Sequence, residues 1–158
     1  MDRSVQSEGF TRWIPTLANV LWLILGVTFI ASGILKGIAM KGFAITVKEF
    51  LDLLGLETLQ TLSFPIAIAI CVFETAIGAL AFIRSMRPLL SLVYPAIMAF
   101  FTLITYVNLT DMYGGIESCG CFGEVIHLGP SETFVKNLIL LTLSVIAAYL
   151  THIDPQSK

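Results

Sequence analysis

The chain has 158 residues, of which 56% are hydrophobic and 13% are charged, and its net charge is −2. A soluble domain carries about 25% charged residues, so this composition argues against one, and no basic excess marks a nucleic-acid-binding protein. A helix that spans a bilayer needs about 20 mainly apolar residues. Four segments have that length, at residues 16–38, 64–83, 88–108 and 133–151. We therefore predict an all-α protein, a polytopic bundle of four transmembrane helices in a single membrane domain over residues 1–158.

The connections between these spans carry recognisable helix signals. Residues 44–65 read AITVKEFLDLLGLETLQTLSFP, in which charged residues interrupt apolar ones at helical spacing. This pattern predicts a short amphipathic helix in the membrane interface, between the first and second spans, that ends at Gly55. Pro65 and Pro88 fit the first turns of the second and third spans, and Ser131 is a candidate N-cap for the fourth.

The basic residues predict how the chain is oriented. They lie before the first span, in the short turn between the second and third, and at the end of the chain, as Arg3, Arg12, Arg84, Arg87 and Lys158. Cytoplasmic loops of membrane proteins are enriched in lysine and arginine. We therefore expect both termini in the cytoplasm and the loop at 109–132 on the opposite, periplasmic side, where disulfides persist.

That loop contains the stretch SCGCFGE at residues 118–124. Cys119 and Cys121 are separated only by Gly120, which allows a turn that brings them within disulfide distance. The resulting ring is small, strained and readily reduced, and it restrains little of the unfolded chain. The pair therefore suits a redox couple better than a structural staple, although two inert thiols are an alternative. With His127 the loop offers three N or S ligands where zinc takes about four, so we predict no metal site.

The surroundings of the cysteine pair are acidic. The loop carries no lysine or arginine, and its acidic residues are Asp111, Glu117, Glu124 and Glu132. Negative neighbours disfavour a thiolate. The pair is thus better suited to accept electrons as a disulfide than to attack as a thiolate.

A carboxyl group, Glu74, lies in the middle of the second span. An ionisable residue at this depth is a functional candidate, because burying its charge in a membrane is costly. The alternative is a protonated glutamate that packs helices together. Its candidate partner is Lys36, which ends a polar stripe with Thr28 and Ser32 at four-residue spacing on the first span, or is simply a lysine that snorkels to the interface.

The depth of Glu74 in its span limits how it can pair with Lys36. Glu74 lies about 15 Å below the outer end of its helix, so a direct ion pair requires Lys36 to reach down. Otherwise polar side chains of the third span would bridge the two, and the candidates are Tyr94, Thr102, Thr105 and Tyr106. Cys71 precedes Glu74 by three residues on the same helix face, either as a third redox thiol or, more commonly for a lone cysteine, as packing.

Three elements together resemble the DoxX/MauE superfamily of small membrane proteins: SGILKG at the end of the first span, FETAIG in the second and SCGCFG before the fourth. The CGCFG form is most similar to the MauE branch. That resemblance implies a role in forming disulfides in a periplasmic subunit of methylamine dehydrogenase. DoxX-like relatives imply quinone-coupled oxidation. Carried over, the functional residues are Cys119, Cys121, Lys36 and Glu74.

The leading hypothesis is a thiol–disulfide oxidoreductase of the bacterial inner membrane. Cys119 and Cys121 would form a redox-active disulfide that exchanges with a thioredoxin-like or secreted thiol protein. Electrons would pass to a membrane quinone bound by Glu74, Lys36 and Tyr106, with Glu74 and Lys36 also handling protons. The alternatives are a non-catalytic subunit or assembly factor of a redox enzyme, and a small proton-coupled transporter that uses Glu74. Membrane lipids are expected partners, and the sequence is compatible with both homo-oligomers and hetero-oligomers.

Overall fold

The computed structural model describes residues 3–53, 55–110 and 129–153, and within them every regular element is helical. The five α-helices are α1 (Arg3–Ile38), α2 (Met40–Leu53), α3 (Ser63–Leu80), α4 (Arg87–Leu109) and α5 (Pro130–Ile153). Short 3-10 turns at Glu57–Leu62 and Arg84–Met86 precede α3 and α4. Among the described residues, four stretches are long and apolar enough to cross a membrane, namely Trp13–Ile38, Thr58–Leu80, Arg84–Val107 and Ser131–Ile153. The predicted all-α fold class with four spans is confirmed.

The end of α2 is set by Gly55, as the sequence predicted. Gly55 has a φ of +69°, a conformation that favours glycine. Its amide donates to the Asp52 carbonyl and the Leu56 amide donates to the Leu51 carbonyl, both at 2.8 Å. This pair of bonds is the Schellman arrangement that satisfies the last carbonyls of a helix.

The start of α5 differs from the predicted cap. The Gly129 carbonyl accepts the first helical bond from the Thr133 amide at 3.0 Å, and the Glu132 carboxylate accepts from the Gly129 amide at 3.1 Å. Gly129 is therefore the N-cap, with Pro130 at the first helical position. The prediction for Ser131 was wrong, because the preceding proline already starts the helix.

The bundle core is formed mainly by α1, α3, α4 and α5. Helix α1 packs against α3 and α5, and α4 packs against α5. The fully buried rings of Trp22 and Tyr94 meet edge to face, 5.4 Å between centroids. Trp22 Nε1 donates to Thr151 Oγ1 at 2.9 Å, and the Tyr94 hydroxyl donates to the Ile77 carbonyl at 3.2 Å. These bonds satisfy both polar aromatic groups, and together with the ring contact they connect α1, α3, α4 and α5.

Helices α1 and α3 approach closely where glycines face one another. A Cβ placed on Gly78 would lie 2.8 Å from the Gly26 carbonyl oxygen, and one on Gly33 would meet Thr75 and the Cys71 carbonyl. Small residues permit such close helix contacts in membranes. The crossing therefore fixes which residues of α1 lie level with which residues of α3.

Helix α2 folds back against α3 rather than standing alone. Its apolar face places Phe43, Ala44 and Val47 in one buried cluster with Ala67 and Cys71. Helices α3 and α4 each pack mainly against other helices, so a gap is left between them. The predicted amphipathic helix is confirmed, and it covers this gap.

Candidate functional site

The two charged candidates of the first and second spans form a direct ion pair. Lys36 Nζ donates to Glu74 Oε1, and Ser32 Oγ donates to Glu74 Oε2 at 3.2 Å. Lys36 is 2% exposed and Glu74 is 3% exposed. Both carboxylate oxygens are thus partnered, and two of the three residues of the predicted polar stripe on α1 bind the same acid.

The register of α1 against α3 explains how the pair forms across the expected distance. Gly33 contacts the Cys71 carbonyl and the Thr75 amide, one turn apart on α3, which places the Lys36 backbone about level with Ile70. Glu74 is then about four residues, or about 6 Å, further down α3. A lysine and a glutamate that extend toward each other cover that distance. Lys36 therefore reaches down, and no bridging residue is needed.

Aromatic rings from two other helices enclose the ammonium group. Lys36 Nζ lies 5.3 Å from the centroid of the Phe43 ring on α2 and 5.2 Å from that of Phe101 on α4. Both distances are within the range of a cation–π contact. The lysine consequently connects α1, α2, α3 and α4 at one point.

A small polar cavity lies on one side of the ion pair. Its volume is about 30 Å³, which corresponds to about one water molecule. The polar side chains that line it come from α1, α3 and α5, and they are Thr28, Ser32, Lys36, Glu74, Lys136 and Asn137. Such a cavity fits water, and it is too small for an organic cofactor.

A larger apolar cavity is also lined by Lys36, and it lies in the gap between α2, α3 and α4. Its volume is about 180 Å³. Four phenylalanines and five aliphatic side chains line it, and the polar groups in its lining are Lys36, Thr46 and Thr105. A cavity of about 150 Å³ is enough for one benzene ring, so this one is large enough for the ring of a lipid-soluble molecule.

The bridging candidates on α4 take other positions. Thr102 Oγ1 donates to the Met98 carbonyl at 2.6 Å, and Thr105 Oγ1 lies 2.9 Å from the Phe101 carbonyl. Tyr106 is 52% exposed, and its ring lies 5.9 Å from that of Phe134, so neither cavity includes it in its lining. The role of Tyr106 in binding a cofactor therefore stays a prediction.

Cys71 is a buried free thiol in the cluster between α2 and α3. Its backbone carbonyl accepts a hydrogen bond from Thr75 Oγ1 at 2.8 Å. The packing interpretation of this residue agrees with its position. Cys119, Cys121 and His127 lie outside the described residues, and Thr110 and Gly129 are the described residues that flank their segment.

Sequence reasoning did not place two polar residues of α5 beside the ion pair. Asn137 is 2% exposed, and its Nδ2 donates to the Phe101 carbonyl and to Thr105 Oγ1, each at 3.4 Å. Lys136 lines the polar cavity with it. The available signal was the pair KN within the apolar run TFVKNLILL, which is as unusual in a span as Glu74.

Comparison with known proteins agrees with this architecture. The family model described as methylamine utilisation protein MauE matches residues 14–150, a range that covers nearly all of the four spans and every candidate site residue. The chain belongs to the MauE family. This MauE-family chain is also similar to Protein TlpB of Flavobacterium psychrophilum, with 26% identity over 139 residues, or 85% of this chain and 37% of TlpB. The chain thus spans well under half the length of that relative. No solved structure matches it.

Proposed function

We propose that this MauE-family membrane protein is a thiol–disulfide oxidoreductase that uses Cys119 and Cys121 and passes electrons to a membrane quinone. The observation that carries the proposal is the buried Lys36–Glu74 ion pair between a water-sized polar cavity and a ring-sized apolar one. Burial of two charges is costly, so an ion pair at membrane depth supports a functional role. The MauE resemblance, with its link to disulfide formation, supports the redox chemistry.

The thiol step is an ordinary exchange. A thiolate of a thioredoxin-like or secreted partner attacks one sulfur of the Cys119–Cys121 disulfide, which breaks that bond and forms a mixed disulfide. The second partner thiol resolves it, so the partner gains a disulfide and Cys119 and Cys121 become a dithiol. Restoring their disulfide releases two electrons and two protons. A quinone, when bound, accepts two electrons and two protons and becomes a quinol.

The role of Lys36 and Glu74 in this scheme is to hold and move protons. Lys36 presents an ammonium group to both cavities, and Glu74 accepts hydrogen bonds from Lys36 and Ser32. A water in the polar cavity would contact Glu74, Lys136 and Asn137, which gives a proton a route toward the end of the bundle where α4 ends and α5 begins. We place the cysteine pair at that end, on the periplasmic side of a bacterial inner membrane.

The test is a thiol-oxidation assay with the purified protein in detergent, a reduced thioredoxin-like substrate and a short-chain ubiquinone. We expect quinone-dependent loss of substrate thiols by the wild-type protein and none by Cys119→Ser or Cys121→Ser. Cys71→Ser is the matched control, and it should keep the activity because that thiol packs between α2 and α3. Undiminished quinone-dependent oxidation by Cys119→Ser would refute the proposal.

Two other functions make different predictions in cells. An assembly factor that turns over no electrons would still complement a deletion strain after both loop cysteines are changed to serine. A proton-coupled transporter would tolerate the same changes and would fail with Glu74→Gln. The oxidoreductase requires the cysteines, so complementation by the double serine variant separates it from both.

A further inference from the structure

We infer that the apolar cavity between α2, α3 and α4 is the binding site for the quinone ring, and that Lys36 is its hydrogen-bond donor. This inference rests on the proposed function and adds a position and a set of residues to it. The competing position is the polar cavity beside Glu74, and its volume of about 30 Å³ excludes a ring. The apolar cavity, at about 180 Å³, has room for one.

The lining of the apolar cavity matches the chemistry of a quinone. Phe43, Phe50, Phe100 and Phe101 give it aromatic walls, against which a flat ring can stack. Among the described residues that line it, the polar groups are the Lys36 ammonium and the side chains of Thr46 and Thr105. A largely apolar pocket with a few placed donors is the usual form of a small-molecule site, and a carbonyl oxygen of the ring needs such a donor.

The cavity also reaches the surface that would face lipid. Phe100 lines it and is 56% exposed, and the half-buried Ile70 and Ile104 line it from α3 and α4. Because α3 and α4 pack mainly against other helices, the gap between them provides a passage for an isoprenoid tail. A ligand can therefore enter from the bilayer, with its ring inside and its tail outside.

Lys36 determines from which wall of the cavity a proton can reach the bound ring. Its Nζ holds Glu74 and is enclosed by the Phe43 and Phe101 rings, so the ammonium stays at the inner wall of the apolar cavity. The same group borders the polar cavity. A proton can therefore reach a ring oxygen through Lys36, while bulk water is kept out of the apolar cavity by its phenylalanines.

The test is direct binding of a photoreactive azido-benzoquinone with a decyl tail to the purified protein, followed by mass spectrometry of the labelled peptides. We expect labels on the segments of α2 and α4 that line the cavity. Because Thr46→Phe fills the cavity, the affinity of this variant for the azidoquinone should be at least about tenfold weaker. The matched control is Ile45→Phe, since Ile45 is adjacent on α2 and 59% exposed. Its affinity should stay within about twofold of the wild type.

A second pair of variants keeps the test decisive if Thr46→Phe fails to fold. Ile70→Phe fills the cavity from α3. Its control is Ile68→Phe, because Ile68 is on the same helix and its side chain is 42% exposed. Wild-type affinity for a folded Thr46→Phe or Ile70→Phe, or labels confined to other segments, overturns the inference.

Failure of the site and failure of the proposed function give different results. The double variant Cys119→Ser, Cys121→Ser should bind the azidoquinone as the wild type does, because the described residues that line the cavity all lie on α1, α2, α3 and α4. If Thr46→Phe oxidises thiols at the wild-type rate with quinone, the site is wrong and the function stands. If the wild type binds quinone and oxidises no thiols, the function is wrong and the site stands.

Discussion

Lys36 and Glu74 carry the strongest residue-level evidence for function. Both lie within spans, both are nearly fully buried, and each finds its main partner in the other. In the described part of the chain, no buried side-chain nitrogen or oxygen lacks a hydrogen-bond partner. A pair of apolar residues would fill the same space at a lower desolvation cost, so the charges are better explained by chemistry than by stability.

The cost of burying these two charges predicts how single and double substitutions at the pair change the stability. Lys36→Met leaves a buried carboxylate without its cation, and it should lower the free energy of unfolding by up to about 3–5 kcal/mol. The double variant Lys36→Met, Glu74→Leu removes both charges and should recover most of that loss. Thermal unfolding in detergent measures both changes.

The thiol-oxidation assay completes the residue-level test. The double variant should fold like the wild type and lack quinone-dependent activity, which a purely structural pair would not require. Equal stability of Lys36→Met and the wild type would contradict a strongly coupled pair. Wild-type activity of the double variant would contradict the proton-handling role.

The sequence predicted the identities of this pair and not their geometry. Glu74 and Lys36 were recognisable because an ionisable residue in a span is unusual. Their direct contact depends on the register of α1 against α3, which the glycine contacts set and which no local pattern contains. The pair KN was a local signal for Asn137, but its contacts were not predictable for the same reason, since its partners Phe101 and Thr105 are on another helix.

At the level of elements, the crossing of α1 and α3 positions the site. Gly78→Ala tests it, because the added Cβ would lie 2.8 Å from the Gly26 carbonyl oxygen and from Ile30. Overpacking of this kind costs about 1–3 kcal/mol, and separation of the helices should also weaken the ion pair. The measurements are thermal unfolding and the thiol-oxidation rate.

The matched control for this substitution is Gly37→Ala. Gly37 is in α1, the helix that Gly78 of α3 packs against, and an added Cβ there has no neighbour within 4 Å. It should leave both stability and activity near the wild-type values. A Gly78→Ala protein as stable as Gly37→Ala would mean that the helices tolerate a wider crossing than the contacts indicate.

Helix boundaries show what local sequence can and cannot specify. Gly55 ended α2 where predicted, because a glycine with positive φ completes the last turn through its own backbone bonds. Ser131 did not cap α5, because Pro130 and Glu132 together favour Gly129. The amphipathic pattern of α2 was likewise predictable from the local sequence. Its packing over Lys36 was not, because it depends on the position of α3.

For the whole molecule, composition alone was sufficient to predict four spanning helices, and the family match over residues 14–150 agrees with them. The two cavities could not be predicted, because the described residues that line each of them come from four different helices. Lys36 lines both cavities. The claim made for the whole molecule is the proposal that electrons from Cys119 and Cys121 would leave through a membrane quinone.

That claim is tested most directly by trapping the thiols of Cys119 and Cys121 in intact cells, with and without respiration. A Cys71→Ser background removes the third thiol, so that the loop pair alone is labelled. With respiration, we predict that the pair is mainly a disulfide, and that it accumulates as a dithiol when respiration is blocked and quinone is fully reduced. A redox state that is the same in both conditions would contradict the account.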